Sequence, residues 1–380
     1  MKLLFVSTYH YPARPAQFKH GLMMARAYAQ TLANNFLYLM WYVKEADILE
    51  GIPHQEMNTA ALPLRKARLM SLYLFFYLPL FFARHRGWRG KDVVVITQES
   101  KIAWILILWR ALFSYRVVYE CHEPHSPLTD GVVFRKANAL IFVTKKSQQE
   151  VHARFKTNIP SACIPNAFDP SDFIEARDTD TNTLRKNLSL PKDKTLVGYI
   201  GRFHALGEDK GIEIGLSALS RIHDDRVIFC FVGGTEKEID IYTKRAEELG
   251  VEKRVIFVPF MRDGRRLAHY TQAMDVLMYA PPPTKFFMEE TSPMKLYEYM
   301  GAERPIVLSD FPSLREILDD TSAFFFSPNT PEALAHSIDT VLSDSREAQK
   351  RARCASERVR GNTWVRRVKE FLAFIDFSAL

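Results

Sequence analysis

Two glutamates eight residues apart, Glu290 and Glu298, stand in the stretch FMEETSPMKLYEYMGAERPIVL, Phe287 to Leu308. Carboxylates accept hydrogen bonds from the hydroxyls of a sugar. Pro293 to Met300, which includes Glu298, reads as the opening of a helix, with Pro in the first turn and Thr291 or Ser292 as its cap. Gly301 ends that helix, and Pro305 keeps it from resuming before the apolar Ile306-Val307-Leu308. A helix N-terminus offers unsatisfied N–H groups and a partial positive charge, which suit a phosphate. The spacing alone would also fit an exposed helix face. The whole stretch fits a ligand that carries both a phosphate and polyols.

The elements that must position this stretch alternate along the chain. Leu3–Ser7 predicts a buried strand and Met23–Leu32 a helix, with a loop between them that contains Lys19, His20 and Gly21. Strands are predicted at 36–43, 92–97, 116–120 and 139–144, and again at 195–201, 227–233, 254–259, 275–280, 306–308 and 323–326. Helical stretches separate most of them, which is the pattern of doubly wound α/β sheets. Such sheets bind ligands beyond the C-terminal ends of their strands. Three groups stand at such ends. His122 follows RVVYE, with His125 a weaker candidate. Arg202 follows TLVGYIG, with Lys210 before the next helix. Val258, Pro259 and Phe260 close RVIFVP. The polar stretch 170–194, punctuated by Pro170 and Pro191, reads as an interdomain linker. Its Asp178-Thr179-Asp180 mimics a metal motif but stands on no strand end, so it reads as a solvated face.

The E-x7-E spacing, followed by YMGAERPIV and SDFPSLREIL, resembles the donor-binding motif of retaining glycosyltransferases of the GT-B fold, the group around glycosyltransferase family 4. SPMKLYEYM is similar to a bacterial polysaccharide subgroup, and CIPNAFD resembles the turn with which the family leaves its first domain. The resemblance covers nearly the whole chain and is weakest over 45–90. It implies an α/β GT-B fold of two Rossmann-like domains facing a central cleft: an acceptor domain at 1–168, a linker at 169–194, a nucleotide-sugar domain at 195–360, and a terminal helix at 361–380 that crosses back to the first. It implies transfer of a sugar from a UDP- or GDP-sugar to a glycan or lipid-linked acceptor, with retention, in polysaccharide synthesis. By the same resemblance Arg202 and Lys210 clamp the departing diphosphate, Glu290 holds the donor sugar and Glu298 the ribose. The 291–294 backbone (Thr291, Ser292, Pro293, Met294) meets sugar or phosphate, and Lys295 adds a phosphate contact or braces Glu290. His122 lines the reacting sugar, and Pro259 lies by the nucleobase. The first loop departs from the family, which has a pair of glycines where this chain has Gly21 alone. No cofactor and no metal are implied, since fixed cations stabilise the leaving charge. A sugar-nucleotide epimerase and a silent sugar-binding scaffold of the same fold are the alternatives.

Length and composition agree with that reading. With 380 residues, 47% hydrophobic and 25% charged, the chain suits two globular domains. Cys121, Cys163, Cys230 and Cys354 lie far apart, which supports neither a disulfide framework nor a zinc site. Met1-Lys2 leads straight into a strand, so no signal peptide is predicted and a cytoplasmic location, at the inner face of the membrane, is expected. The net charge of +7 divides into +11 over 1–165 and −4 over 166–380. Basic residues are not interleaved with exposed aromatics, which argues against nucleic acid. They flank instead an apolar run, 69–83, which is shorter than a membrane span: Arg65, Lys66 and Arg68 before it, Arg84, Arg86, Arg89 and Lys91 after it. A buried helix and a helix in contact with an anionic membrane through 65–91 both remain open.

Overall fold

Val93–Thr97 is VVVIT, and all five residues are buried. A continuous apolar run of this kind belongs in a parallel sheet covered on both faces. The structure, a computed structural model, describes residues 1–8, 15–41, 46–57, 67–122, 127–205 and 207–377. The chain forms two units: unit 1 is Met1–Pro165 with Trp364–Leu380, and unit 2 is Asn166–Thr363.

Unit 1 holds seven strands among the described residues: β1 (Lys2–Ser7), β2 (Phe36–Met40), β3 (His54–Glu56), β4 (Val93–Thr97), β5 (Arg116–Cys121), β6 (Ala139–Phe142) and β7 (Ser161–Cys163). All pairings are parallel, in the order β3-β2-β1-β4-β5-β6-β7. The direction of winding reverses between β1 and β4, the place where such sheets open to ligands. Among its helices are α1 (Pro15–Leu32), α2 (Ala67–Arg84) and α3 (Ser100–Phe113).

α1 starts earlier than expected. Lys19, His20 and Gly21 lie inside it rather than in a loop. A Cβ on Gly21 would face Tyr38 Oη at 3.5 Å and the Phe5 ring at 3.7 Å. The expected loop placement of Gly21, read as a substrate-binding residue, is therefore corrected: it is a helical residue that faces Tyr38 and Phe5. α2 is buried along one side. Leu74, Leu78, Phe81 and Phe82 are buried, while Leu72, Phe76 and Leu80 are exposed. Among the described residues no helix is long and apolar enough to cross a membrane. Arg65, Lys66 and His125 lie outside the described residues, as does the side chain of Arg68.

Unit 2 contains β8 (Thr195–Ile200), a small antiparallel hairpin of β9 (His204–Ala205) and β10 (Glu208–Asp209), then β11 (Val227–Gly234), β12 (Val255–Pro259), β13 (Val276–Tyr279), β14 (Ile306–Ser309) and β15 (Phe324–Phe326). Six of these form a parallel sheet in the order β12-β11-β8-β13-β14-β15, the winding of unit 1's first six strands. Both units are Rossmann-like α/β domains, and the reversal in unit 2 lies between β8 and β13. The expected linker is not a linker. Residues 170–187 form short helical segments, and Ala176, Leu184, Leu188 and Leu190 are buried in the core of unit 2. Polar composition hid an amphipathic pattern with few but deeply buried apolar positions. Asp180, from the discounted acidic trio, caps the Thr181–Asn187 helix by accepting from Thr183 N at 3.1 Å.

Candidate functional site

The C-terminal ends of β8, β11, β12 and β13 carry the residues singled out in unit 2. Gly201 ends β8 with φ of +141°, and a Cβ there would stand 2.8 Å from Lys295 Nζ. Gly211 has φ of +110°, and a Cβ there would stand 2.7 Å from the Ala280 carbonyl just beyond β13. Only glycine allows both the backbone and the approach. Arg202 lies between these turns, with its guanidinium 5.0 Å from the centre of the Phe260 ring past β12. Pro259 and Phe260 are exposed at that edge.

The predicted helix runs from Met294 to Gly301 and has Pro293, not Thr291 or Ser292, at its cap position. Ser292 is committed elsewhere. Its carbonyl accepts from Asn166 Nδ2 at 2.6 Å, and its hydroxyl lies 3.0 Å from Tyr297 Oη. Tyr299 anchors the helix to β8, its hydroxyl accepting from Ile200 N at 2.8 Å. The N-terminus of the neighbouring Ile212–Leu219 helix is already filled by Asp209, which accepts from Gly211 N at 2.8 Å and Ile212 N at 3.0 Å. A phosphate is thus better served by the 294–301 helix than by the 212–219 helix.

Lys295 is the least expected member of the site. It is buried, its Nζ has no hydrogen-bond partner among the described residues, and it sits 3.4 Å above the Tyr199 ring and 5.1 Å from the Tyr279 ring. Burial, then Lys210, push its pKa well below the ordinary lysine value, against the pull of Glu298. The Lys210 residue is only half-buried overall, yet burial of its ammonium group, then Arg202, bring its pKa down to about 8. Arg202, exposed, Lys210, half-buried, and Lys295, buried, are therefore a succession of like charges of increasing burial. A dianion between them would relieve that repulsion. Glu290 is buried at the end of the π-helical turn Phe286–Glu290 and pairs with Lys285 at 3.3 Å, so the cation that braces it is Lys285. Glu298 is half-buried on the helix, and Thr291, Pro293 and Met294 line the turn before it. The two glutamates could accept hydroxyls on either side of a phosphate site.

His122 belongs to unit 1, directly after β5. Its Nε2 is 3.5 Å from Glu120 Oε1, and its ring meets His20 edge-on with centres 4.5 Å apart. Glu120 is buried. Arg367 of the C-terminal helix Trp364–Phe377 donates to it at 2.5 Å, Gln98 Nε2 donates to its other oxygen at 2.9 Å, and His20 Nε2 lies 3.7 Å away. Arg367 also donates to the carbonyls of Ile164 at 3.0 Å and Pro165 at 2.8 Å. Burial alone would raise the Glu120 pKa. Arg367, then His20 and His122, outweigh it and hold the carboxyl well below the usual range. His20, Glu120 and His122 bring three ligand atoms within 4.8 Å of one another. A metal ion fits them poorly, because Arg367 and Gln98 already engage both Glu120 oxygens and the guanidinium would repel a cation. Glu120, Gln98 and Arg367 were not singled out from sequence. The available signal was an acid after the apolar Val117-Val118-Tyr119 of the strand RVVYEC, two residues before His122 and so on the same face.

Residues 180–358 match the family described as glycosyl transferases group 1. The chain is 26% identical over 208 residues to an uncharacterized glycosyltransferase of Methanocaldococcus jannaschii, covering 54% of this chain and 51% of the relative. It is 30% identical over 197 residues to a GDP-mannose-dependent alpha-(1-6)-phosphatidylinositol dimannoside mannosyltransferase of Mycobacterium tuberculosis, covering 52% of this chain and 48% of the relative. The chain matches these curated relatives over about half their length. In fold it is similar to Anabaena HepE solved with UDP: TM-score 0.79, 17% identity, 99% of this chain and 100% of that one.

Proposed function

We propose that the protein is a retaining glycosyltransferase that moves a sugar from a UDP- or GDP-sugar to a glycan or lipid-linked acceptor in cell-surface polysaccharide synthesis, on the cytoplasmic side of a membrane. The observation that carries this is the group of like charges at the N-terminus of the 294–301 helix: Lys295 buried, Lys210 half-buried and Arg202 exposed. Fixed cations and free backbone N–H groups stabilise the charge that grows on a departing diphosphate. Unit 2 holds the donor in this reading, with Glu298 on the ribose, Glu290 on the donor sugar, Thr291 to Lys295 about the phosphates and sugar, and Pro259 near the base. Unit 1 is the acceptor-recognising unit in this reading, and within it Glu120 orients His122.

The bond from the sugar's anomeric carbon to the diphosphate breaks, and one to the acceptor oxygen forms on the same face. The acceptor's proton passes to the leaving diphosphate, so no cofactor and no metal take part. The names of relatives support the donor class, since one is GDP-mannose-dependent and a solved neighbour carries UDP. Thermal unfolding with UDP, GDP and their sugars tests the proposal, because a ligand that binds only the folded chain raises its stability. At least one nucleotide should raise the melting temperature of the wild type and fail to do so in Arg202→Ala. If none shifts it, the donor site is wrong.

A further inference from the structure

Among the described residues, eight large apolar side chains are well exposed, and five of them lie on two adjacent helices. Leu72, Phe76 and Leu80 recur every four residues along α2, with Phe76 64% exposed. Leu108 and Leu112 do the same on α3, with Leu112 68% exposed. Spacing of four keeps each set on one side of its helix. The helices pack side by side: Trp109 Nε1 donates to the Phe75 carbonyl at 3.1 Å, and the two rings are 5.3 Å apart. Both apolar rows therefore border one seam and form one surface. Soluble chains seldom leave such a surface uncovered unless it binds something.

The charge around it identifies the partner. Neither α2 nor α3 contains an acidic residue. Arg84, Arg86 and Lys91 are exposed beyond the end of α2, and Lys101 is exposed in the first turn of α3; Asp92 is the exposed acid beside them. Arg89 and Arg110 are committed to the fold, Arg89 to the Phe82 and Ala83 carbonyls and Arg110 to the Lys136 carbonyl and Asn138. A second copy of this chain meeting the same face across a two-fold axis would set these cations against their own kind. An anionic bilayer instead accepts the apolar rows at its interface and meets the cations with lipid phosphates.

We propose that the outer faces of α2 and α3 form a docking surface for an anionic lipid bilayer. This deepens the reading of a lipid-linked acceptor by naming the surface that reaches the leaflet, and it does not depend on the donor site. The test is co-sedimentation with vesicles of phosphatidylcholine alone and of phosphatidylcholine with phosphatidylglycerol in equal parts. The wild type should pellet with the anionic vesicles at low salt and be released as salt rises. Leu72→Ser, Phe76→Ser and Leu112→Ser combined should weaken binding by about tenfold or more, since each change removes an apolar side chain from the contact. Arg84→Gln, Arg86→Gln, Lys91→Gln and Lys101→Gln combined should abolish the preference for anionic vesicles. Both sets are surface changes, and an unchanged thermal response to UDP and GDP keeps a failure here separate from a failure of the donor site. Equal pelleting of the wild type and the apolar variant overturns the proposal. So does a wild type that binds no vesicles, or one that sediments as a dimer which the apolar variant converts to a monomer.

Discussion

The two units hold buried charge in opposite ways. At the end of β5 in unit 1, a single carboxylate, Glu120, is surrounded by Arg367, Gln98, His20 and His122, and its charge is more than met. At the end of β8 in unit 2, burial and then Arg202 lower the Lys210 pKa, burial and then Lys210 lower that of Lys295, and Lys295 Nζ makes no hydrogen bond among the described residues. A closed ion cluster stabilises the arrangement of its own side chains and needs no ligand. A crowd of like charges is costly to the folded chain and becomes favourable when an anion arrives. The difference separates a residue group that orients from one that binds.

The comparison makes removal of a charge act with opposite sign in the two places. Arg367→Ala would leave Glu120 buried without its guanidinium and should cost about 3–5 kcal/mol in denaturant unfolding. The double change Arg367→Met with Glu120→Leu should recover most of that loss; a single variant as stable as the wild type would mean that Glu120 is not held by charge. In unit 2, Arg202→Ala and Lys210→Ala should each lower kcat by more than about tenfold while the fold remains intact, because the leaving diphosphate loses a fixed cation. Near-normal turnover in both would remove them from the mechanism. Lys295→Met should stabilise the unliganded chain by about 1 kcal/mol, since it replaces a strained buried cation with an apolar side chain of similar length. The same variant should bind UDP or GDP about tenfold more weakly. A loss of stability with unchanged binding would make Lys295 a structural residue. Smallest of all, EDTA should change activity by less than about twofold, with Mg²⁺ restoring nothing, because protein cations already serve the diphosphate.

Strong local patterns were legible in the sequence. Parallel strands such as VVVIT, and the order of strand, loop and helix in unit 2, follow from apolar runs bounded by glycine and proline. The stretch around Glu290 and Glu298 was legible as a helix opening because Pro293 and Gly301 punctuate it. Its cap was not, because Ser292 is claimed by Asn166 and Tyr297, and Asn166 lies 126 residues away in sequence. The segment 170–187 looked like a linker because its few apolar residues are spaced by charges, and only packing shows that they are core. Arg367 and Glu120 stand 247 residues apart, and no local spacing reports such a pair. Gly21 was placed in a loop for a related reason: a glycine in a helix packed on Phe5 and Tyr38 has the same letter as one in a loop.

The central claim is that the Arg202–Lys210–Lys295 group is built to receive a diphosphate. Calorimetric titration of UDP and GDP into the wild type, repeated in buffers of different ionisation enthalpy, tests it most directly. Both lysines have pKa values below their ordinary value, with Lys210 at about 8. A bound dianion raises them again, so binding should take up protons from solution. Above about pH 8 the affinity should fall as pH rises, approaching about tenfold per pH unit for each lysine that must be protonated. An affinity flat from about pH 7 to 9, with the same heat in every buffer, would contradict the account.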